Sequence, residues 1–259
     1  SFHHSTVNTS EGRDRKMNYV ILAAGQGRRL GDLTKEIPKC MLMISKDHSL
    51  ATFQISQIMK ADSNASVVIM HGFSSNKLEN HISDSGYDGK VDYIYNPFFV
   101  EANNIYSFYL AVNYFKEDFI LVNSDVIFPV KWLEDLCLSQ KTSVIVETQR
   151  GVTDESMKTY VNETNRIVQF SKNEYDGKVL GEYVGLARVN EKDIPTFEKV
   201  TRKMLQKGEV NCWYEDCFNV FMNESEICGI TEANPEWIEI DDENDYRNAI
   251  ELAAKSDLR

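Results

Sequence analysis

No apolar run in the 259-residue chain approaches the roughly 20 residues of a membrane-crossing helix, so no membrane span is expected. No secretory signal is visible either. The five cysteines (Cys40, Cys137, Cys212, Cys217 and Cys228) are scattered, odd in number and form no C-x-x-C pair. They read as free thiols, and the expected setting is cytoplasmic. The five histidines show no metal-ligand spacing. His3 and His4 sit in a polar leader, and His71 closes an apolar strand and reads equally well as a packed residue. Positive charge is short: 28 Lys and Arg stand against 40 Asp and Glu, for a net charge of −12 and a pI near 4.9. Without a basic stripe, a nucleic-acid polymerising or binding module and an anionic-membrane surface are both disfavoured. Repeats, linkers and low-complexity tracts are missing as well, so one domain is the economical expectation.

What the chain does have is concentrated in residues 20–42, VILAAGQGRRLGDLTKEIPKCML. A β-branched run (Val20, Ile21) ends in Leu22-Ala23-Ala24 and then Gly25-Gln26-Gly27. The pattern predicts a buried strand stopping at a glycine-rich turn, where bare backbone approaches a ligand and N–H groups face phosphate oxygens. Arg28, Arg29 and the later Pro38-Lys39 bring the positive charge that a triphosphate requires. The dinucleotide fingerprint G-x-G-x-x-G fails, because Leu30 stands where its third glycine belongs, and G-x-x-x-x-G-K-[ST] is absent. The bland alternative is a tight turn with solvated basic residues, and the joint occurrence of turn, Arg29 and Pro38-Lys39 weighs against it.

Leu22, Ala23, Ala24, Gly25, Gly27, Arg29, Leu30, Pro38 and Lys39 form L-A-A-G-x-G-x-R-L followed by P-K. This resembles the nucleoside-triphosphate transferases that activate sugar phosphates and small alcohol phosphates. The resemblance implies that Leu22 to Gly27, Gln26 included, wraps the nucleotide while Arg29 and Lys39 hold its phosphates.

Residues 1–16 (SFHHSTVNTSEGRDRK) are polar and unpatterned; they read as a disordered leader or an expression remnant before Met17. The remainder alternates strand and helix patterns, which predicts an α/β sheet. Strands are expected at 18–24, 66–71, 91–95, 119–123 and 143–148. Helices are expected at about 50–61, 74–83, 103–116, 130–139, 190–207 and 242–255. A hairpin-rich stretch is expected at about 158–188, punctuated by Gly177, Gly181 and Gly185. In 103–116, Ile105, Phe108, Val112 and Phe115 recur at spacings of three and four, giving one apolar stripe.

Two acidic places matter. Ile120-Leu121-Val122-Asn123-Ser124-Asp125 ends an apolar run in an acid, where open α/β sheets bind ligands; a turn-forming Asp is an equal reading. In Trp237-Ile238-Glu239-Ile240-Asp241-Asp242, an extended chain turns Glu239 and Asp241 to one face. Like charges so placed repel unless a cation lies between them, and Mg²⁺ suits such oxygen ligands. A solvated edge strand is the alternative. Asp242 and Asp245 read as a helix-capping pair.

The acceptor side is less determinate. Asn103-Asn104 either caps a helix or places an amide in the cleft. Trp213-Tyr214-Glu215-Asp216 sets aromatics beside acids, which suits a cationic head, above all a quaternary ammonium. A core aromatic pair leading an acidic helix N-terminus is an equal reading.

Together, N-N-I-Y-S-F-Y-L-A from Asn103, N-S-D at 123–125, W-Y-E-D at 213–216 and E-I-D…D-Y at 239–246 resemble the bacterial CTP:phosphocholine cytidylyltransferase group. That group includes relatives acting on aminoethylphosphonate and other small phosphoryl acceptors. The likeness runs from about Val20 to Leu252. It departs at the aromatic pair, whose order differs, and at Glu215, where a shorter Asp is usual. The resemblance implies a single-domain, Rossmann-like, three-layer α/β nucleotidyltransferase fold with a mostly parallel mixed sheet. It further implies magnesium at Asp125, Glu239 and Asp241, and acceptor contacts from Asn104, Trp213, Tyr214, Glu215 and Asp216. The expected reaction transfers CMP from CTP to a small amine-bearing phosphate or phosphonate, phosphocholine favoured, with Lys39 and Arg29 neutralising the triphosphate. Alternatives are the same chemistry on 2-aminoethylphosphonate, a phospho-amino acid or a sugar 1-phosphate, and a non-catalytic nucleotide-binding regulator.

Overall fold

The computed structural model describes residues 16–255. The expected leader lies outside them, Lys16 excepted. The elements run β1 (Asn18–Ala23), α1 (Leu50–Ala61), β2 (Ser66–His71), α2 (Ser75–Ile82), β3 (Val91–Tyr95), α3 (Asn104–Tyr114), β4 (Phe119–Asn123), β5 (Val126–Ile127), α4 (Val130–Leu138) and β6 (Ser143–Glu147). Then follow β7 (Lys158–Val161), β8 (Ile167–Ser171), β9 (Lys178–Val189), α5 (Ile194–Gln206), α6 (Tyr214–Phe221), β10 (Cys228–Glu232), β11 (Ile238–Glu239) and α7 (Glu243–Lys255).

The main sheet is ordered β10-β6-β9-β4-β1-β2-β3. All but β9 run the same way, so the sheet is mixed and mostly parallel. Its strands are apolar on both sides because both faces are covered. In β1, Val20 and Leu22 join one core with Phe108 of α3, Phe197 of α5 and Phe218 of α6. Tyr19 and Ile21 point the other way, to Ile55 and Ile58 of α1 and Trp132 of α4. Alternation along the strand thus builds three layers. The expected stripe of α3 is buried at Ile105, Phe108, Val112 and Phe115.

The five expected strands and six expected helices occur with ends shifted by few residues. The expected helix at 190–207 divides: Glu191–Asp193 forms a short 3-10 turn, and α5 starts after it with Pro195 in its first turn, where a missing N–H costs nothing. The hairpin-rich stretch resolves into β7, β8 and the 12-residue β9, which pairs with β7 at its start and with β4 and β6 further on. His71 is packed: its Nε2 lies 2.7 Å from Glu79 Oε1 and its ring stacks on Tyr93. No disulfide joins the five cysteines. Among the described residues no helix is long and apolar enough to cross a membrane.

Candidate active site

β1 lies between β2 and β4 in the centre of the sheet, and its carboxyl end opens into residues 24–27. Gly27 takes a left-handed conformation (φ 64°), and its carbonyl accepts the Thr34 hydroxyl at 2.6 Å and the Leu30 N–H at 3.1 Å. A Cβ at Gly27 would stand 3.0 Å from Lys39 Cβ, so glycine lets the turn and the lysine segment touch. Arg28 donates to Gln26 Oε1 at 2.7 Å, which braces the turn from within.

The acids meet through a two-residue strand pair. β5 directly follows Asp125, β11 contains Glu239, and the two pair antiparallel with Glu239 opposite Val126. Ile240 N–H donates to the Asp125 carbonyl at 2.8 Å, which extends the pairing to the acid itself. Trp237, fully buried against Trp132, anchors this strand, and Arg150 lies 3.8 Å over its ring. The Asp245 carboxylate accepts the Asp241 and Asp242 N–H groups while Asp242 accepts that of Asp245, which caps α7.

Asp125, Glu239 and Asp241 each offer a carboxylate oxygen within 4.8 Å of the others. Burial, with Asp125 and then Asp241 as neighbours, holds the Glu239 carboxyl well above the usual carboxylate range. Crowded oxygens of this kind fit a hard divalent cation. Lys39 supplies the charge balance in the structure: its Nζ donates to Ile240 O at 2.7 Å and Asp125 Oδ2 at 3.2 Å, and lies 3.6 Å from Asp241. Burial pulls its ammonium down, but Asp125 and Asp241 outweigh that and hold it above the ordinary lysine value. Arg29, more exposed, reaches Asp241 at 2.9 Å.

These groups line a cleft of two adjoining lobes. One, about 510 Å³, is walled by residues 24–29 and by Asn96, Phe99 and Asn103. The other, about 300 Å³, holds the acid trio with Asn123, Met157, Lys172, Tyr183, Trp213 and Glu215. Leu22, Gly25, Gly27, Arg29, Lys39, Asn103, Asn104 and Asp241 border both. Ala23 lines the second lobe, Ala24 and Gln26 the first.

Two of the expected acceptor residues stand apart from the cleft. Tyr214 is fully buried, packed on Phe108 and Phe218, with its hydroxyl bonded to Asn123 Oδ1 and the Tyr183 hydroxyl, each at 2.8 Å. Asp216 accepts the Trp213 N–H at 3.0 Å, capping α6. The two purposes offered for the asparagine pair are divided between them: Asn103 caps α3, its Oδ1 accepting the Asn104 N–H at 2.7 Å, while Asn104 borders the cleft and accepts the Tyr214 N–H at 2.9 Å. Trp213 is 37% exposed, and Glu215 is 6% exposed with one oxygen unpartnered. Lys172, Tyr183 and Met157 were not expected here. They come from the hairpins around β7, β8 and β9, where a lone lysine or tyrosine carries no signal until strand pairing turns it inward.

With this arrangement in view, the class of the protein is defined: the nucleotidyl transferase family profile matches residues 18–159, more than half the chain, and the chain belongs to that family. It is 26% identical over 247 residues to the bifunctional IPC transferase and DIPP synthase of Aquifex aeolicus, covering 93% of this chain and 52% of that protein. The chain thus spans about half the length of that relative. It is 24% identical over 258 residues to the CTP:phosphoglutamine cytidylyltransferase of Campylobacter jejuni, covering 91% of this chain and 100% of the relative. Among solved structures it superposes on the CTP:phosphocholine cytidylyltransferase of Streptococcus pneumoniae with a TM-score of 0.75 at 19% identity, covering 92% of this chain and 100% of the other, a likeness of fold.

Proposed function

We propose that the chain is a Mg²⁺-dependent cytidylyltransferase that moves CMP from CTP to a small amine-bearing phosphate or phosphonate and releases pyrophosphate. The observation that carries this is the meeting of Lys39 with Asp125, Glu239 and Asp241 beside the glycine turn. Relatives named for phosphoglutamine and phosphocholine support CTP as donor and a small phosphorylated acceptor. Phosphocholine is the member of that acceptor class the sequence resemblance favours, and the cytoplasm is the setting in which we place the reaction.

The acceptor phosphate oxygen forms a bond to the α-phosphorus of CTP. The bond from that phosphorus to the bridging oxygen breaks, and its electron pair leaves with pyrophosphate. Residues 22–27 bind the nucleotide in this scheme. Lys39 and Arg29 neutralise the phosphates, and Asn104 borders both substrates. Asp125, Glu239 and Asp241 would hold Mg²⁺, which supplies charge neutralisation between nucleotide and acceptor when bound. No protein nucleophile is required, and catalysis rests on alignment and fixed charge.

The test is pyrophosphate release with Mg²⁺, each nucleoside triphosphate being paired with phosphocholine, phosphoethanolamine, 2-aminoethylphosphonate and glucose 1-phosphate. Turnover with CTP and an amine-bearing acceptor is the expected result. Turnover with glucose 1-phosphate alone would remove the amine site. Nucleotide binding without pyrophosphate would favour a non-catalytic regulator.

Burial pushes the Glu215 carboxyl up to about 7. It is therefore expected to ionise as pH rises through that value and to hold an ammonium better above it. KM for an amine-bearing acceptor should fall by about tenfold across this range, the scale of one charged hydrogen bond. A pH profile of KM for wild type and Glu215→Gln checks this, and the variant should lose the step near pH 7.

A further inference from the structure

Away from the acid trio, the second lobe holds a carboxyl and an ammonium, Glu215 and Lys172, that do not pair with each other. Glu215, at the first turn of α6, is more than nine-tenths buried, and its Oε2 has no hydrogen-bond partner. A buried carboxylate oxygen without a partner is costly, and Glu215 is one of the residues that line the lobe, within reach of a ligand that could satisfy it. Lys172 follows β8 and places its Nζ 4.8 Å from the centre of the Trp213 ring. Among the described residues it forms no ion pair. Glu215 feels its charge, yet the two lie beyond ion-pair distance. The lobe therefore offers an acid and a base in one wall set, with Trp213, Met157 and Tyr183 lining it beside them.

This pairing bears on which amine fits. A head carrying positive charge alone meets Glu215 favourably but meets Lys172 as a like charge. It also finds the Trp213 face already covered by an ammonium. A head carrying both signs satisfies both side chains.

We propose that the acceptor is a zwitterion, a small phosphorylated or phosphonylated α-amino acid whose ammonium is received by Glu215 and whose carboxylate is received by Lys172. The inference rests on the cytidylyltransferase reading and narrows its acceptor. Lys172 is then the residue that separates amino acids from simple amines, because only the carboxylate gives it a partner.

Matched acceptors isolate the carboxylate. O-phosphoserine differs from phosphoethanolamine only by that group, and 2-amino-3-phosphonopropionate differs from 2-aminoethylphosphonate in the same way. With CTP and Mg²⁺, kcat/KM for the carboxylated member is expected to exceed its partner by about tenfold or more in at least one pair, the scale of a charge-assisted hydrogen bond. Lys172→Met should bring that ratio close to one, and Lys172→Arg should preserve it. Equal rates within both pairs, a preference for the simple amines or phosphocholine, or a ratio unchanged in Lys172→Met would each overturn the zwitterion while leaving cytidylyl transfer intact. Absence of pyrophosphate with every acceptor would overturn the cytidylyltransferase reading itself.

Discussion

Lys39→Ala is expected to lower kcat by about 10³-fold, the upper range for removing one preorganised donor from a site of developing charge. Its ammonium sits on the Ile240 carbonyl and between Asp125 and Asp241, at the junction of the two cleft lobes. On the proposed function, a lysine so placed is the one expected to neutralise the charge of a bound triphosphate. Lys39→Arg should recover little, because the wider guanidinium cannot occupy the space fixed by Gly27 and the Ile240 carbonyl. Steady-state pyrophosphate release checks the loss, with melting curves to show that the fold persists. Turnover within a few-fold of wild type in Lys39→Ala would remove the residue from the mechanism.

The second large effect concerns the acid trio. Asp125→Asn or Glu239→Gln is expected to cost about 10²-fold or more in kcat, since on the proposed function either removes a ligand charge from the divalent-cation site. The two readouts should move in opposite directions for Glu239→Gln. Glu239 is crowded by two other carboxylates, so in chelator its neutral isostere relieves repulsion. The metal-free variant is expected to melt higher than wild type, by about 2–4 °C for each kcal/mol relieved in a chain of this size. Adding Mg²⁺ should raise the melting temperature of wild type and leave the variant nearly unmoved. Thermal melts with chelator and with Mg²⁺ decide this, and an equal Mg²⁺ response in both proteins would exclude the trio as the binding site.

Much of this arrangement is legible in the chain itself, for a physical reason. Strands buried on both faces, such as Val20–Leu22 and Ile120–Val122, write themselves as unbroken apolar runs, and the residues just past them fall at one edge of the sheet. That edge is where Gly25–Gly27 and Asp125 lie. Glu239 and Asp241 are legible because a two-residue period places both on one face even in a very short strand. What the sequence conceals is set by long-range pairing. Nothing local says that Ile238–Glu239 pairs with Val126–Ile127, because each strand is only two residues long. Trp213 and Tyr214 are adjacent aromatics of similar character, yet a helix start between them sends one ring to the cleft rim and the other into the core. Lys172 is an ordinary hairpin lysine until Trp213, from a distant segment, comes beneath it.

The β5–β11 pairing also has a temporal side. The glycine turn and Asp125 belong to the first half of the chain, whereas Glu239 and Asp241 emerge far later and join by a contact of very long sequence separation. Contacts of that kind close late, since the loop entropy is met before the contact repays it. The protein is therefore expected to complete its glycine turn before its acid trio, both as it is made and as it folds. Pulse-labelled hydrogen exchange during refolding should find β1 and β4 amides protected ahead of Ile240. On the proposed function, a maturing chain would hold nucleotide without consuming it until β11 has docked.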